Sequence, residues 1–239
     1  MLIEGLTMEE FERGLEKTRT LVVPFGTVEA HGVHLPLGTD TLIIQEVVRR
    51  VSERTTVFVA PPVHYGQCTS TVQHPGTISI SAETLRRIIT DIVRDGFRKG
   101  LRRFVLVSGH GGGIHTSAMR EAAELLTEEL KGVVIAAFAI YDILPPEAMD
   151  LADTKNDSHA GELETSLILS LSEELVKGRG REGYPDLPKP IVAADKRRYW
   201  PGAVWGNPAK ASKSKGDRLF DIMEKSLLDL VRRIEEFGG

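Results

Sequence analysis

Four side chains that can bind a metal ion lie within one short segment of the chain: Glu29, His31, His34 and Asp40. Residues two apart in an extended segment point the same way, so Glu29 and His31 can reach one ion. Asp40 is expected at a helix start, where free backbone N–H groups would also hold its carboxylate. Each residue alone is more simply explained as a polar loop residue or a helix cap. The set of four favours a site for zinc, manganese or iron, which accept these oxygen and nitrogen donors.

A glycine-rich segment, Gly109-His110-Gly111-Gly112-Gly113, adds a fifth candidate ligand, His110. The glycines have two interpretations. They allow the chain to turn from a strand into a helix, or they let backbone N–H groups approach a substrate oxyanion or phosphate. A phosphate-binding P-loop is excluded because the run is not followed by Gly-Lys-Ser or Gly-Lys-Thr. The histidine inside the run favours metal binding.

A third polar cluster covers residues 158–166 and leads into an apolar helix. The helix dipole alone explains Glu162 in the first turn. It explains His159 poorly, because a cation is disfavoured at that end of a helix. A neutral His159 there would suit a proton shuttle. His64, His74 and His115 have no partner at a ligand spacing and are interpreted as structural or pocket-lining, and no partner base is evident for Cys68.

Short apolar runs alternate with amphipathic stretches, and this alternation must position the reactive residues. Buried strands are predicted at residues 21–25, 56–60, 104–107 and 133–138. A capping box at Thr7 to Glu10 predicts a first helix that ends by Lys17. Further helices are predicted from Asp40 through Val51 and over residues 81–100, 115–130 and 216–237.

This alternation predicts a single α/β domain over residues 1–239, with a mostly parallel sheet covered by helices on both faces. Open parallel sheets bind ligands beyond the carboxyl ends of their strands. The candidate residues have that placement, since Glu29, His31 and His34 follow the first strand and His110 follows the third. Residues 177–213, which are rich in proline, glycine and lysine, predict a long surface excursion.

Composition limits the function classes. The 239-residue chain has a formal net charge of −4, which argues against a nucleic-acid partner. No apolar run approaches the ~20 residues needed to cross a bilayer, and the first residues lack the pattern of a signal peptide. The single cysteine fits a reducing compartment. We therefore expect a cytoplasmic protein that acts on a small molecule and not on a membrane or a nucleic acid.

Residues 24–40, PFGTVEAHGVHLPLGTD, closely resemble the signature of the creatininase family, also called creatinine amidohydrolases. The resemblance continues in family order at Pro75-Gly76-Thr77, at residues 109–112, at the run HAGELETS of residues 159–166 and at Gly206-Asn207-Pro208. The anchors span most of the chain, and the first is long and specific.

The resemblance implies a three-layer α/β/α sandwich that is usually assembled into hexamers and carries two divalent metal ions. By motif position, Glu29 and His110 would bind one ion, His31 the other, and Asp40 would bridge both. His159 matches a histidine that moves protons during cleavage of the amide. Glu164 matches a glutamate that supplies a further ligand or holds a water. Whether Glu162 or Glu164 completes the second metal site is left open, and His34 is expected to support the ligands from behind.

Departures from the family pattern point away from creatinine itself. Members that hydrolyse creatinine have a tyrosine and a glutamate ligand where this chain has Gly111 and Gly112, and they have a pocket tryptophan where it has residues 154–157. The Gly-Gly form resembles the wider family, although Gly113 replaces the usual asparagine. Lys155 would suit a carboxylate or phosphate on the substrate, or it is simply a solvated lysine.

We therefore predict a metal-dependent amidohydrolase that cleaves a non-peptide or small-amide C–N bond with a water activated by two metal ions. N–H groups of residues 111–113 would stabilise the oxyanion. Two other enzymes remain as alternatives: a formamide deformylase that acts on a formamidopyrimidine nucleotide, and a peptidase that trims a redox-cofactor precursor. A metal-binding scaffold without catalysis is the alternative from outside the enzymes.

Overall fold

A computed structural model describes residues 1–237 of the chain. Its sheet has four strands in the order β2-β1-β3-β4, all of them parallel: β1 Thr20–Phe25, β2 Phe58–Val59, β3 Arg103–Ser108 and β4 Val134–Ala139. The predicted strands are all present. β2 is shorter than predicted: its first pair with β1 is at Phe58, and Pro61 and Pro62, which have no N–H group, follow it closely.

Seven α-helices surround this sheet among the described residues: α1 Met8–Leu15, α2 Thr39–Arg54, α3 Ala82–Arg98, α4 Gly113–Glu129, α5 Pro146–Met149, α6 Glu162–Leu171 and α7 Lys213–Glu236. Short 3-10 helices cover Ile3–Gly5, Ile140–Ile143, Glu173–Leu175 and Pro208–Lys210. The predicted capping box of Thr7 and Glu10 opens α1. α7 begins three residues earlier than predicted, because Ser212 caps it by accepting a hydrogen bond from the N–H of Lys215.

Helices pack on both faces of the sheet, as the strand alternation requires. Val22, Val105 and Val107 point to one face, where they contact α2, α6 and α7. Leu21 and Leu106 point to the other face, toward α3 and α4. The predicted three-layer α/β/α sandwich is confirmed. No helix in residues 1–237 is long and apolar enough to span a membrane.

The segment over residues 177–213 corrects one expectation. Much of it lies on the surface as predicted, but Trp200 and Val204 are buried, with 4% of each exposed. Backbone hydrogen bonds hold this part against the body: the N–H of Trp205 donates to the carbonyl of His159 at 2.7 Å, and that of Ser158 donates to the carbonyl of Trp205 at 2.9 Å. The excursion therefore folds back over the carboxyl ends of the strands.

Candidate metal centre

The candidate ligands meet at the carboxyl ends of the two central strands. Glu29 and His31 lie in the loop after β1, and His110 follows β3, which pairs with β1 along its whole length. Asp40 is the second residue of α2, whose N-cap is Gly38. Its carboxylate is turned toward Thr27, His31 and His110, so it does not act as the helix cap of the simpler interpretation.

Two groups of ligand atoms share Asp40. In the first, Nδ1 of His110 lies 2.9 Å from Oε2 of Glu29 and 3.3 Å from Oδ2 of Asp40. In the second, Nε2 of His31 lies 3.2 Å from Oδ1 of Asp40 and 3.7 Å from Oε2 of Glu164. Each group offers three donors, and the two oxygens of Asp40 face one group each.

Hydrogen bonds with hydroxyl and carbonyl groups hold these ligand side chains in their orientations. The hydroxyl of Thr27 donates to Oδ2 of Asp40, and that of Thr71 donates to Oε1 of Glu29. Nδ1 of His31 lies 3.0 Å from the carbonyl of Glu29. A proton on that nitrogen would leave Nε2 with a free lone pair, as in histidines that bind metals.

The residues present fit divalent cations. Oε2 of Glu29 and Nε2 of His31 are buried without a hydrogen-bond partner, although oppositely charged groups surround them. Three carboxylates, those of Glu29, Asp40 and Glu164, are at most 6% exposed. Buried carboxylates at this spacing are costly unless cations compensate them. Acids and histidines packed this closely form a ligand set in which a cation can take the place of the histidine protons.

The mutual electrostatics are strong. Burial opposes ionisation of Glu29, but the neighbouring charge of His110 outweighs it and lowers the pKa of Glu29 to about 2. Burial also opposes ionisation of His31 and by itself would lower its pKa. The charges of Asp40 and Glu164 outweigh burial and raise that pKa to about 10. Burial raises the pKa of Glu164 to about 7, against the opposing effect of His31. A bound cation would compete with protons for these same lone pairs.

His159 lies on the open side of the cluster. Its ring stacks on that of His31 with centroids 4.2 Å apart, and its Nε2 lies 2.9 Å from the carbonyl of Ala30. Burial and the neighbouring His31 lower the pKa of His159 to about 4, so the ring is neutral at neutral pH. The next residue, Ala160, has a φ of 49°, a strained conformation of the kind that is held at functional sites.

The structure separates the two glutamates of α6. Glu164 faces the cluster, where it also accepts hydrogen bonds from the N–H of Ala160 at 2.6 Å and from the hydroxyl of Tyr141 at 3.3 Å. Glu162 faces away from the cluster and forms an ion pair with Lys215. It also accepts a hydrogen bond from the N–H of Thr154 at 2.8 Å. Of the two alternatives, only Glu164 is placed to join the second group.

Two further predicted residues lie outside the cluster. Nε2 of His34 is 2.9 Å from the hydroxyl of Thr165, next to Glu164, so His34 braces the cluster and does not enter it. Lys155 lies in an exposed turn and does not line the cavity described below, so the expected contact with a substrate finds no support within this chain.

A cavity of about 410 Å³ opens onto the cluster and is lined by Glu29, Asp40, His110, His159 and Glu164. Gly111, Gly112 and Gly113 form its edge at the start of α4. The cavity also has apolar lining residues, namely Leu144, Met149, Leu187, Trp200 and Trp205. Trp200 and Trp205 were not predicted as site residues, because they lie in a segment without periodicity and more than 40 positions from His159.

Comparisons with known proteins point to one family. The family model for creatininase, described as creatinine amidohydrolase, matches residues 4–231. The creatinine amidohydrolase of Pseudomonas putida is 31% identical over 259 residues, which cover 99% of this chain and 97% of that protein. The mycofactocin precursor peptide peptidase of Mycolicibacterium smegmatis is 32% identical over 228 residues, which cover 89% and 84%.

Solved structures show the same architecture. A structure described as creatininase Mn superposes with a TM-score of 0.86 at 25% identity and covers 97% of both chains. A mutant creatininase of Zn–Zn type superposes with a TM-score of 0.82, again at 25% identity and with 97% coverage of both chains. Manganese and zinc, two of the three predicted metals, thus occur in similar structures.

Proposed function

Because the chain belongs to the creatininase family, we propose that it is a metal-dependent amidohydrolase that cleaves the C–N bond of a small amide. One observation carries the proposal: Glu29, His31, Asp40, His110 and Glu164 converge in a buried cluster that faces an apolar cavity. Buried acidic residues and histidines packed this closely destabilise the fold unless a bound cation compensates their charge, so they indicate a metal site.

Two divalent ions, zinc, manganese or iron, suit the two groups of donors. Glu29 and His110 would hold one ion, His31 and Glu164 the other, and Asp40 would contribute one oxygen to each. Bound ions of this kind supply Lewis acidity and a water that ionises near neutral pH.

The protein's own residues provide the rest of the chemistry. The N–H groups of Gly111, Gly112 and Gly113 lie at the start of the 17-residue α4 and at the edge of the cavity. Such groups stabilise negative charge as it develops on a carbonyl oxygen. Trp200, whose ring lies 5.2 Å from that of His159, and Leu187 add apolar surface to the cavity.

His159 is the proton carrier in this proposal. With Nε2 bonded to the carbonyl of Ala30, Nδ1 is the ring nitrogen left to exchange a proton, and the side chain lines the cavity. A neutral ring accepts a proton from the attacking water and delivers it to the departing nitrogen. The same hydrogen bond keeps the ring in one orientation through both transfers.

The charge of the cavity helps to choose among substrates. Within residues 1–237, neither lysine nor arginine lines it, whereas acidic side chains do, including Asp142 and Asp157. A phosphorylated substrate would find no cation there apart from bound metal, so a deformylase of formamidopyrimidine nucleotides is the weaker alternative. A neutral amide with an apolar or aromatic group matches the tryptophan wall.

A peptidase that trims a redox-cofactor precursor is the second candidate function. The apolar wall of Leu144, Met149, Leu187, Trp200 and Trp205 can take a hydrophobic side chain, and the peptidase of Mycolicibacterium smegmatis is as similar in sequence as the amidohydrolase of Pseudomonas putida. A hexamer, by family resemblance, and a cytoplasmic location, from the cysteine usage and the sequence of the first residues, complete the proposal.

The test combines metal analysis with a substrate screen. Freshly purified protein should hold two ions per chain and hydrolyse members of a panel of cyclic amides, neutral formamides, phosphorylated formamides and short peptides. Asp40→Ala should lose both ions and all turnover, whereas His159→Ala should keep the ions and lose turnover. Formate release from a phosphorylated formamide would favour the deformylase, and cleavage confined to short peptides would favour the peptidase. Full activity of metal-free protein would exclude the mechanism, and protein without bound ions or turnover would favour a scaffold.

A further inference from the structure

The chain's single cysteine lies beside the candidate metal centre. Cys68 is 1% exposed. Its sulfur, a carboxylate oxygen of Glu29 and a ring nitrogen of His110 all lie within 4.8 Å of one another. The thiol is thus a soft donor beside the cluster that the proposed function does not yet use.

The loop that carries Cys68 is fixed at several points. The N–H of Cys68 donates to the hydroxyl of Ser79 at 2.9 Å, and the N–H of Gln67 donates to Nδ1 of His115 at 3.2 Å. Three residues later, Thr71 donates to Oε1 of Glu29. The position of the sulfur is therefore set by the same loop that orients the Glu29 carboxylate.

A second observation points to a cation between these groups. Oε2 of Glu29 is buried without a hydrogen-bond partner, although Nδ1 of His110 lies only 2.9 Å away. The two atoms form an ion pair when His110 is protonated, and a bound cation would take the place of that proton. A cation placed among Glu29, His110 and the sulfur of Cys68 would satisfy all three.

Ligand number and softness support the same assignment. Glu29, His110 and one oxygen of Asp40 provide three donors, and a sulfur would bring this ion to the four that zinc commonly takes, so the open position for the water would fall to the ion held by His31 and Glu164. Sulfur ligands select zinc or iron over manganese, which prefers oxygen. On the premise of the proposed metal-dependent function, we propose that Cys68 is an additional ligand of the metal held by Glu29 and His110. The thiol proton leaves to solvent as the metal–sulfur bond forms.

Cobalt substitution gives a direct test. Metal-depleted full-length protein is loaded with Co²⁺, and its absorption is recorded in the near ultraviolet and the visible. A thiolate-to-cobalt charge-transfer band is expected, together with the d–d bands of the ion. Because the chain has one cysteine, the band can arise only from Cys68. Cys68→Ser should abolish the charge-transfer band and keep the d–d bands.

A metal competition provides the second readout. Cys68→Ser should weaken zinc binding by about 10-fold or more and manganese binding far less. Ser70→Ala is the matched control, since Ser70 lines the cavity from the same loop, and it should keep the cobalt spectrum and both affinities. Cobalt d–d bands without a charge-transfer band in the unsubstituted protein would overturn the role of Cys68 alone. Failure to bind any cobalt would instead overturn the proposed function.

Discussion

At the residue scale, the cluster distinguishes two glutamates that stand two positions apart on α6. Such positions are separated by about 200° around a helix axis, so they cannot face the same point. Glu164 faces His31, and Glu162 faces Lys215. The sequence could not decide between them, because residues 162–168 are all buried and no exposed side marks the helix orientation.

The first prediction exploits this pair. Glu164→Gln should lose the second ion, with its affinity reduced by about 100-fold or more, because a neutral amide replaces a charged ligand. Glu162→Gln should retain both ions. Elemental analysis and calorimetric titration with zinc measure the two variants side by side. Loss of an ion from Glu162→Gln, with retention in Glu164→Gln, would reverse the assignment.

Glu162 should instead matter for stability and its pH dependence. Burial raises the pKa of Glu162, but hydrogen bonds from Lys215 and Thr154 outweigh this and leave the pKa below its usual value. A lowered pKa stabilises the fold fully above the pKa of the unfolded carboxyl, and this contribution is lost as the pH falls through the folded pKa. Glu162→Gln should lower the free energy of unfolding by about 1–2 kcal/mol near neutral pH, since Lys215 is 20% exposed and keeps its pair with Asp153.

Urea unfolding at a series of pH values tests this second prediction. The difference in unfolding free energy between unsubstituted protein and Glu162→Gln should shrink as the pH falls through the acidic range. Glu173→Gln, on the 3-10 helix that follows α6, is an exposed control and should show no difference at any pH. A constant offset across the series would mean that the ion pair with Lys215 is not the cause.

At the element scale, two loops and one helix start must approach each other closely for the ligands to converge. A side chain at Gly109 would overlap the backbone carbonyl of Asp40, so β3 and α2 can meet only through a glycine at this position. Gly113, four residues later in the same run, has open space where a Cβ would be. Close packing therefore requires a glycine at position 109 but not at position 113.

The third prediction compares Gly109→Ala with Gly113→Ala. Gly109→Ala should displace the first turn of α2 with Asp40, lower the free energy of unfolding by about 2 kcal/mol and weaken binding of both ions. Gly113 is the first residue of α4, so Gly113→Ala should be neutral or up to about 1 kcal/mol more stable, with unchanged metal content. Thermal unfolding and elemental analysis check both, and equal metal affinity in the two variants would contradict the packing argument.

The elements were predictable where periodicity defines them. Apolar runs predicted β1, β3 and β4 within one or two residues, and the metal-binding loops followed from strand order. Contacts between irregular segments were not predictable. Thr71 reaches Glu29 from 42 positions away, and Trp200 reaches the ring of His159 from 41 positions away. Neither segment has a repeating pattern that would place it over the site.

At the scale of the whole molecule, the two cores share one sheet, which favours the single domain predicted from the sequence. The surface near the site, by contrast, exposes several large apolar side chains. Val33, Leu37 and Ile78 are 80%, 40% and 56% exposed, and they lie on neighbouring segments joined by the hydrogen bond from Ile78 to Val28. Adjoining exposed apolar side chains of this kind are typical of an interface between subunits.

The fourth prediction is that this surface is buried when the chain assembles. Light scattering coupled to size exclusion should give a mass of about six times the 26.3 kDa chain. Val33→Asp should lower that mass, because a desolvated carboxylate in an apolar interface is costly. Met8→Asp, at a residue that is 77% exposed on α1, should leave the mass unchanged.

A monomeric mass for the unsubstituted protein would refute the hexamer, and an unchanged mass for Val33→Asp would place the interface elsewhere. Because Val33 lies in the loop between His31 and His34, a mass loss accompanied by weaker metal binding would further indicate that assembly holds the metal-binding loop in place.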